Sequence, residues 1–600
     1  MQQTLTGSLS TNMKQVKEKI SLGISTFVIF LLAFLTYFHE IAEFSQDLGR
    51  HILLGQIIWQ INTVPKINLL SYTYPNFPFI NNDWLSEVVF YLLYHIGGIN
   101  ALFYPLAILV AAAFALFFLF LAKRTSFFAA FVGVIVMLTV FAFRALLRPE
   151  IFSYLFTMLF LVILYTNKKK PTKWLFVLPL IELFWVNMHI TFPVGYGLVG
   201  IFLTDNLFTA NRKHKKFSLT LCKTKSFFLL CAIFIACLLV TLANPHGLSG
   251  ALYPFTVFSN YGYPIAENAS LSYLLQTGYY FPAFTPFFIF LAVILVLLLL
   301  FWRKIASVDV LLFGIFTFGA LSANRNLALF AIGALPIVTQ LFQYPTVMCA
   351  AFLQKRQWSP KPIAWLLGTV GTIIFLVYIG TTYGFGLRIG QSYQAAGDFF
   401  LQNISKGPIF NNFDIGSYLD YRLYPQKVFV DGRPEAYPAS FFQNVYIPMQ
   451  ENPKVFAKED NIYHFNSIIF SYLDQTPWAK TFLRDIVRNK NWSIVYLDYK
   501  TVILVKNTAQ NQQLIKKFGM KENAIKIANE QHYTPQQLLQ VAVFFQNVSF
   551  PNDEIATMQL LLAQEPTNCT AISQLTQLYA NTNNLQMAQI YGQKEQLICQ

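Results

Sequence analysis

Residues 21–51 read SLGISTFVIFLLAFLTYFHEIAEFSQDLGRH. The first part, 21–38, carries no charge and as a helix would run about 27 Å, close to the apolar thickness of a bilayer. It reads as an uncleaved first membrane helix. The second part changes character at once: His39, Glu40, Glu43, Asp47, Arg50 and His51 follow within a few residues. Asp47 and His51 stand four apart and share one face if this segment is helical. A membrane helix that delivers carboxylates, a guanidinium and imidazoles directly to a surface decides the fold class. His39-Glu40-x-x-Glu43 lacks the second histidine of a zinc-protease helix. Glu40, Glu43 and Asp47 could nonetheless hold a divalent metal ion.

Working outward, the 600 residues are 55% hydrophobic and only 12% charged, against about 25% charged in soluble domains. Mean hydropathy is +0.46. These values exclude a soluble or disordered chain. Apolar runs predict about eleven spans, at 21–38, 99–122, 126–143, 151–167, 174–187, 190–208, 226–243, 284–302, 307–322, 327–342 and 362–384. With the N-terminus in the cytoplasm, 20 basic residues fall inside, among them Lys123, Arg124, Lys168, Lys169, Lys170, Arg303 and Lys304. Only Arg50, Lys66, Arg144, Arg148 and Arg325 fall outside before residue 386. That follows the positive-inside rule. The net charge of +15 therefore reports membrane topology, and no nucleic acid partner is expected. An odd number of spans exports everything after residue 385.

Polar residues inside or beside apolar sequence are costly and tend to mark function. On this threading they converge on the outer side. The first outer loop, 39–98, holds Asp47 and His51, then Asp83 and Glu87 at the start of an amphipathic helix over 84–96. Other outer corners supply Arg144, Arg148-Pro149-Glu150, Asn187-Met-His189, Asn244-Pro245-His246-Gly247, Glu267 and Asn324-Arg325-Asn326, with Glu182 just inside a span. Carboxylates beside arginines suit a phosphate-bearing polar ligand, the first as bases or metal ligands and the second as phosphate forks.

An aspartate in a long first outer loop, surface helices in that loop and an exported C-terminal part together resemble the GT-C superfamily of polyprenyl-phosphate-sugar-dependent membrane glycosyltransferases. More narrowly, Asp47-Leu-Gly-Arg-His51, Leu70-Ser71-Tyr72-Thr73, Trp84-Leu-Ser-Glu87, Arg148-Pro149-Glu150, Trp185-Val-Asn187-Met-His189, Asn244-Pro245-His246-Gly247 and Val428-Phe-Val-Asp431-Gly432-Arg433 resemble a bacterial GT-C-like family. The resemblance implies, at Asp47 alone, the catalytic base; the chemistry also needs cations on the departing phosphate, for which Arg144, Arg148 and Arg325 are the candidates. His51, Asp83, Glu87, Asn187, His189, Asn244 and Glu267 would line the substrate or acceptor site. The donor would be a sugar linked to polyprenyl phosphate and the acceptor an envelope molecule. No Asp-x-Asp motif stands in the first outer loop. Two other classes share this layout: a catalytically silent scaffold, and a transporter of lipid-linked saccharides.

The fold class expected is mostly α: a polytopic GT-C-like membrane domain over 1–385, a small α/β domain over 386–508 and a helical tetratricopeptide-like tail over 509–600. Strands are expected near 407–411, 427–431, 467–470, 492–497 and 501–505, broken by Asn, Gly and Asp turns. Asp431-Gly432-Arg433, at a strand end, would either form a turn or touch substrate. The tail could bind an envelope protein partner. Cys569 and Cys599 are both exported and either pair or stay free.

Overall fold

The computed structural model describes residues 2–42, 46–214, 225–390, 393–528 and 532–599. The N-terminal half is built from α1 (Gln2–Leu35), α2 (Leu48–Ile61), α3 (Trp84–Arg124), α4 (Phe127–Phe141), α5 (Glu150–Asn167) and α6 (Val177–Met188), followed by further helices to Pro360–Thr382. α3 packs against α1, α4 and α5 around Phe103, Phe114, Phe117 and Phe118, all buried. It is not straight. The backbone breaks at Gly97 and Gly98, and Gly98 adopts φ +64°, ψ −151°, a region that side chains other than hydrogen forbid. The amphipathic segment from Trp84 is thereby turned away from the apolar segment that follows.

The chain is a multi-pass membrane protein, but the eleven apolar runs do not make eleven full-length spans. Among the described residues five helices are long and apolar enough: Trp84–Arg124, Phe127–Arg144, Glu150–Asn167, Phe284–Lys304 and Pro360–Thr382. A sixth counts if Asn324–Gly333 and Leu335–Lys355, bent by 55°, form one broken span. The run at 21–38 lies mostly in the second half of α1, most of the run at 226–243 lies in Lys225–Val240, and the run at 307–322 yields the 16-residue helix Ser307–Ser322. The run at 174–187 yields only the 12 residues of α6, and 190–208 overlaps Pro193–His214 from the first residue of that helix. Val177–Met188 and Ser307–Ser322, of 12 and 16 residues, reach about 18 and 24 Å, short of a bilayer core. Apolar sequence continues past helix ends into turns, as at Thr241–Gly247, so hydropathy overcounts spans.

The two ends of the helical bundle differ in chemistry. At one end α3 finishes in Lys123 and Arg124, and α5 runs into Lys168. There Arg124 Nη2 meets Asp309 Oδ2 at 2.5 Å and Lys168 Nζ meets Asp205 Oδ2 at 2.8 Å. Arg144, Glu150, His189 and Arg325 lie at the opposite helix ends.

β1 (Glu40–Ile41) pairs in parallel with β2 (Arg388–Ile389), tying the segment after α1 to the chain that leaves the last membrane helix. Beyond it β3 (Ile409–Asn411), β4 (Ser467–Ser471), β5 (Trp492–Leu497) and β6 (Thr501–Lys506) form one sheet in the order β3-β4-β6-β5. β3 and β4 are parallel and the other pairs antiparallel, with Ile469 opposite Ile503. β4 is buried on both faces, as expected of a continuous apolar run covered by helices. The 62–81 loop docks on this domain: Ser71 bridges to Val428, and Ser71 Oγ donates to Phe429 O at 3.0 Å. Four helices, Pro535–Val548, Pro551–Gln564, Cys569–Asn581 and Leu585–Ile598, end the chain. The Tyr472 and Phe544 rings, 5.0 Å apart, join them to the sheet domain. Cys569 and Cys599 form a disulfide.

Candidate active site

Asp47 opens α2 with its main chain: its carbonyl accepts from His51 N at 2.9 Å, and its side chain makes no capping hydrogen bond. The carboxylate is therefore available for tertiary contacts. Arg50 Nη2 donates to Oδ1 at 3.1 Å, and Arg148 Nη2 lies 3.2 Å from Oδ2. Burial works against its charge, but Arg148, Arg50 and His51 outweigh burial and hold the Asp47 carboxyl far below the usual carboxylate range.

From Asp47 the network spreads across four chain segments. Arg148 Nη1 meets Glu267 Oε1 and Oε2 at 2.9 and 3.1 Å. Arg144 Nη1 reaches the same Glu267 Oε1 at 3.1 Å, and Arg144 Nη2 and Nε grip Glu150 at 2.5 and 3.2 Å. Arg325 Nη2 completes it on Glu150 Oε1 at 3.1 Å, its Nη1 on Asn268 Oδ1 at 3.2 Å. Glu267 is also held below its ordinary range, with Arg148 and Arg144 overcoming burial. Four guanidiniums thus face three carboxylates, leaving one surplus positive charge. Arg325 is the most accessible of the outer-corner three, with 23% of its side chain exposed against 2% for Arg144 and 10% for Arg148.

A second layer lies beside the first. His51 Nδ1 hydrogen-bonds to Glu87 Oε1 at 2.9 Å, and Asn81 Nδ2 donates to Glu87 Oε2 at 2.6 Å. Burial, and next Arg50, lower the His51 pKa. Asp83 lies at the N-terminus of α3, and its Oδ1 is buried without a hydrogen-bond partner among the described residues. Burial and the adjacent Glu87 push its carboxyl up to about 8.

The sheet domain reaches this centre through Asp431-Gly432-Arg433. Arg433 Nε and Nη2 chelate Asp431 at 2.9 and 2.6 Å, and Nη2 also donates to Asn68 Oδ1 at 2.9 Å. That buried pair presents Gly432 to Asp47. A Cβ at 432 would stand 2.7 Å from Ser417 Oγ and 3.3 Å from Asp47 Oδ1. Ser417 Oγ in turn accepts from Arg50 Nε at 3.2 Å and from Gly432 N at 3.1 Å.

Of the residues singled out in the sequence, Asp47, Arg144, Arg148, Arg325 and Glu267 join one network, and His51, Asp83 and Glu87 lie beside it. Three others make hydrogen bonds outside that network. Asn187 accepts from Trp84 Nε1 at 2.9 Å and donates to Ala243 O at 3.0 Å. His189 is buried on Ser153 Oγ at 2.9 Å. Asn244 closes its own turn, donating to Thr241 O and Gly247 O and accepting from His246 N. Glu40 sits in β1 near Gly390, and Glu43 lies outside the described residues. Residues not singled out are Ser417 and Asn268, each brought in by tertiary packing, while Glu150, named as an outer-corner residue, proves to be the hub that joins Arg144 to Arg325. Arg50 was signalled by its place one helical turn after Asp47.

The donor set does not fit a divalent metal ion. Among the described residues no three His, Cys, Asp or Glu side chains are grouped to hold one. Both oxygens of Asp47 are engaged by guanidiniums, and Arg148 stands between Asp47 and Glu267.

The fold is similar to that of solved oligosaccharyltransferases. Archaeal oligosaccharyltransferase AglB from Archaeoglobus fulgidus, in complex with an inhibitory peptide and a dolichol-phosphate, superposes with a TM-score of 0.57 at 9% identity, covering 91% of this chain and 86% of that one. The apo form of the Archaeoglobus fulgidus oligosaccharyltransferase gives 0.54 at 9% identity over 90% and 86%. ArnT from Cupriavidus metallidurans gives 0.48 at 12% identity over 82% and 98%. No protein-family model and no curated sequence matches the chain.

Proposed function

We propose that this protein transfers a sugar from a polyprenyl-phosphate carrier to an envelope acceptor on the extracytoplasmic face. The observation that carries the reading is Asp47: a carboxylate at the head of the first surface helix, at one end of a GT-C-type bundle, locked into a cluster with a surplus guanidinium. AglB, of the same fold, holds a dolichol-phosphate in its solved complex. In the reaction the acceptor oxygen attacks the anomeric carbon, the bond from that carbon to the phosphate oxygen breaks, and the carrier phosphate leaves with the electron pair. The acceptor proton passes to Asp47. Phosphate gains negative charge as it leaves, so preplaced guanidiniums stabilise the transition state more than the ground state. Arg325, Arg148 and Arg144 supply them, Arg325 first because it is most accessible. An arriving phosphate competes with Asp47 for Arg148, which raises the basicity of the carboxylate when the donor is bound.

Orientation follows from charge. The helix ends bearing Lys123, Arg124 and Lys168 belong in the cytoplasm and the arginine–carboxylate cluster outside, with the sheet domain and the tail. His51, Asp83 and Glu87 line the acceptor side. The helix pairs after residue 534 form a tetratricopeptide-like surface suited to an envelope protein partner.

Native mass spectrometry of the purified protein tests the reading. Wild type should carry bare polyprenyl phosphate and Asp47→Asn the sugar-charged carrier. Neither lipid on either protein overturns it.

A further inference from the structure

Transfer from a lipid phosphate needs positive charge where the phosphate departs, and the sequence allows a divalent ion at Glu40, Glu43 or Asp47 to supply it. The side chains answer in an unexpected way. Arg148 spans the two carboxylates that face each other across the site: Nη2 lies 3.2 Å from Asp47 Oδ2, and Nη1 lies 2.9 and 3.1 Å from the two Glu267 oxygens. Gln46 Oε1 accepts from Nη2 at 2.9 Å. Arg148 Nε is buried and has no hydrogen-bond partner among the described residues. The guanidinium therefore does what a bridging cation does: it joins two carboxylates from different segments and keeps one face for a further oxygen ligand.

We infer that Arg148 is the built-in cation of this centre, occupying the position between Asp47 and Glu267 that a divalent ion would take. The inference rests on the proposed glycosyl transfer for its purpose, but not for its test. A divalent ion needs about six oxygen ligands drawn close around it. Here Asp47 already has Arg50 on Oδ1 and Arg148 on Oδ2, while Glu267 shares Arg148 with Arg144. No ion can reach both carboxylates without displacing the arginine. Once the arginine is removed, two acids are left facing each other with a vacancy between them.

The test is Mn2+ titration of the full-length protein, with free ion read by electron paramagnetic resonance. Wild type should sequester no Mn2+ through this site, so Asp47→Asn and Glu267→Gln should leave the titration unchanged. Arg148→Ala should gain one Mn2+ per chain, lost again in Arg148→Ala combined with Glu267→Gln. The gained ion should also raise the melting temperature of Arg148→Ala, but not that of wild type. One equivalent of Mn2+ bound by wild type and abolished by an Asp47→Asn protein that retains the wild-type fold overturns the inference. A folded Arg148→Ala that gains no ion overturns it too. Either failure leaves the glycosyl-transfer reading to stand or fall on its own lipid measurement.

Discussion

Replacing Gly55 with alanine should destabilise the protein although alanine is the better helix former. Gly55 lies in α2 where it crosses the start of α3. A Cβ there would sit 2.0 Å from the Glu87 carbonyl oxygen, 2.5 Å from its carbonyl carbon and 2.9 Å from Tyr91 Cβ. A carbon-to-oxygen contact relaxes only at about 3.3 Å, so the helices must part by roughly 1.3 Å. The colliding atoms are mainly backbone and cannot swing aside. Overpacking of this kind costs up to about 3 kcal/mol, against a gain of about 1 kcal/mol in helix propensity, for a net loss near 2 kcal/mol. The same displacement would stretch the 2.9 Å His51–Glu87 hydrogen bond beyond useful length. Thermal unfolding in detergent is the assay, with Gly314→Ala as control, since a Cβ there meets nothing within 4 Å. Gly314→Ala should be neutral or stabilising and Gly55→Ala clearly lower in melting temperature. Equal melting temperatures for the two variants would refute the tight crossing.

Three further outcomes follow from single groups. Asp83 has a folded pKa near 8 against about 3.9 when unfolded, so wild type gives up stability as pH rises through that window, at most about 1.4 kcal/mol per unit for this partly exposed group. Asp83→Asn should match wild type near pH 4 and gain an advantage by pH 8; a melting-temperature difference that does not change with pH argues against the raised pKa. Glu182 is fully buried with neither carboxyl oxygen hydrogen-bonded among the described residues, so Glu182→Met should stabilise by about 1–3 kcal/mol, and a lower melting temperature would show that the carboxyl is supported. The Cys569–Cys599 bridge closes a 30-residue separation, worth about 3.5 kcal/mol by loop entropy. Leu585–Ile598 buries no residue fully; on reduction its amides should exchange fast while β4 stays protected, and unchanged protection of that helix would contradict this.

Much of the architecture can be read from residue types alone, because apolar runs such as 284–302 and 362–384 become the helices Phe284–Phe301 and Pro360–Thr382. Hydropathy does not mark where helices stop, so Val177–Met188 lies in an apolar run that reads as a span yet is too short to cross. The turn at His189, held by the hydrogen bond of its ring to Thr191 Oγ1, ends it. The arginines at outer corners stood out as cations in need of partners. Their partners were not legible: Glu267 lies 119 positions from Arg148, and Glu150 lies 175 from Arg325, and only the packed fold brings them together. The approach of Gly432 to Asp47 was hidden for the same reason, being set by the docking of the sheet domain on the 62–81 loop.

The central claim is that Asp47 drives sugar transfer from a lipid phosphate. Its most direct measurement uses purified protein in proteoliposomes with 32P-labelled polyprenyl phosphate esters of a panel of monosaccharides, plus an envelope extract to supply the acceptor. The account predicts that at least one ester is converted to bare polyprenyl phosphate by wild type and not by Asp47→Asn. Conversion of none of them, or conversion that survives Asp47→Asn undiminished, would contradict it.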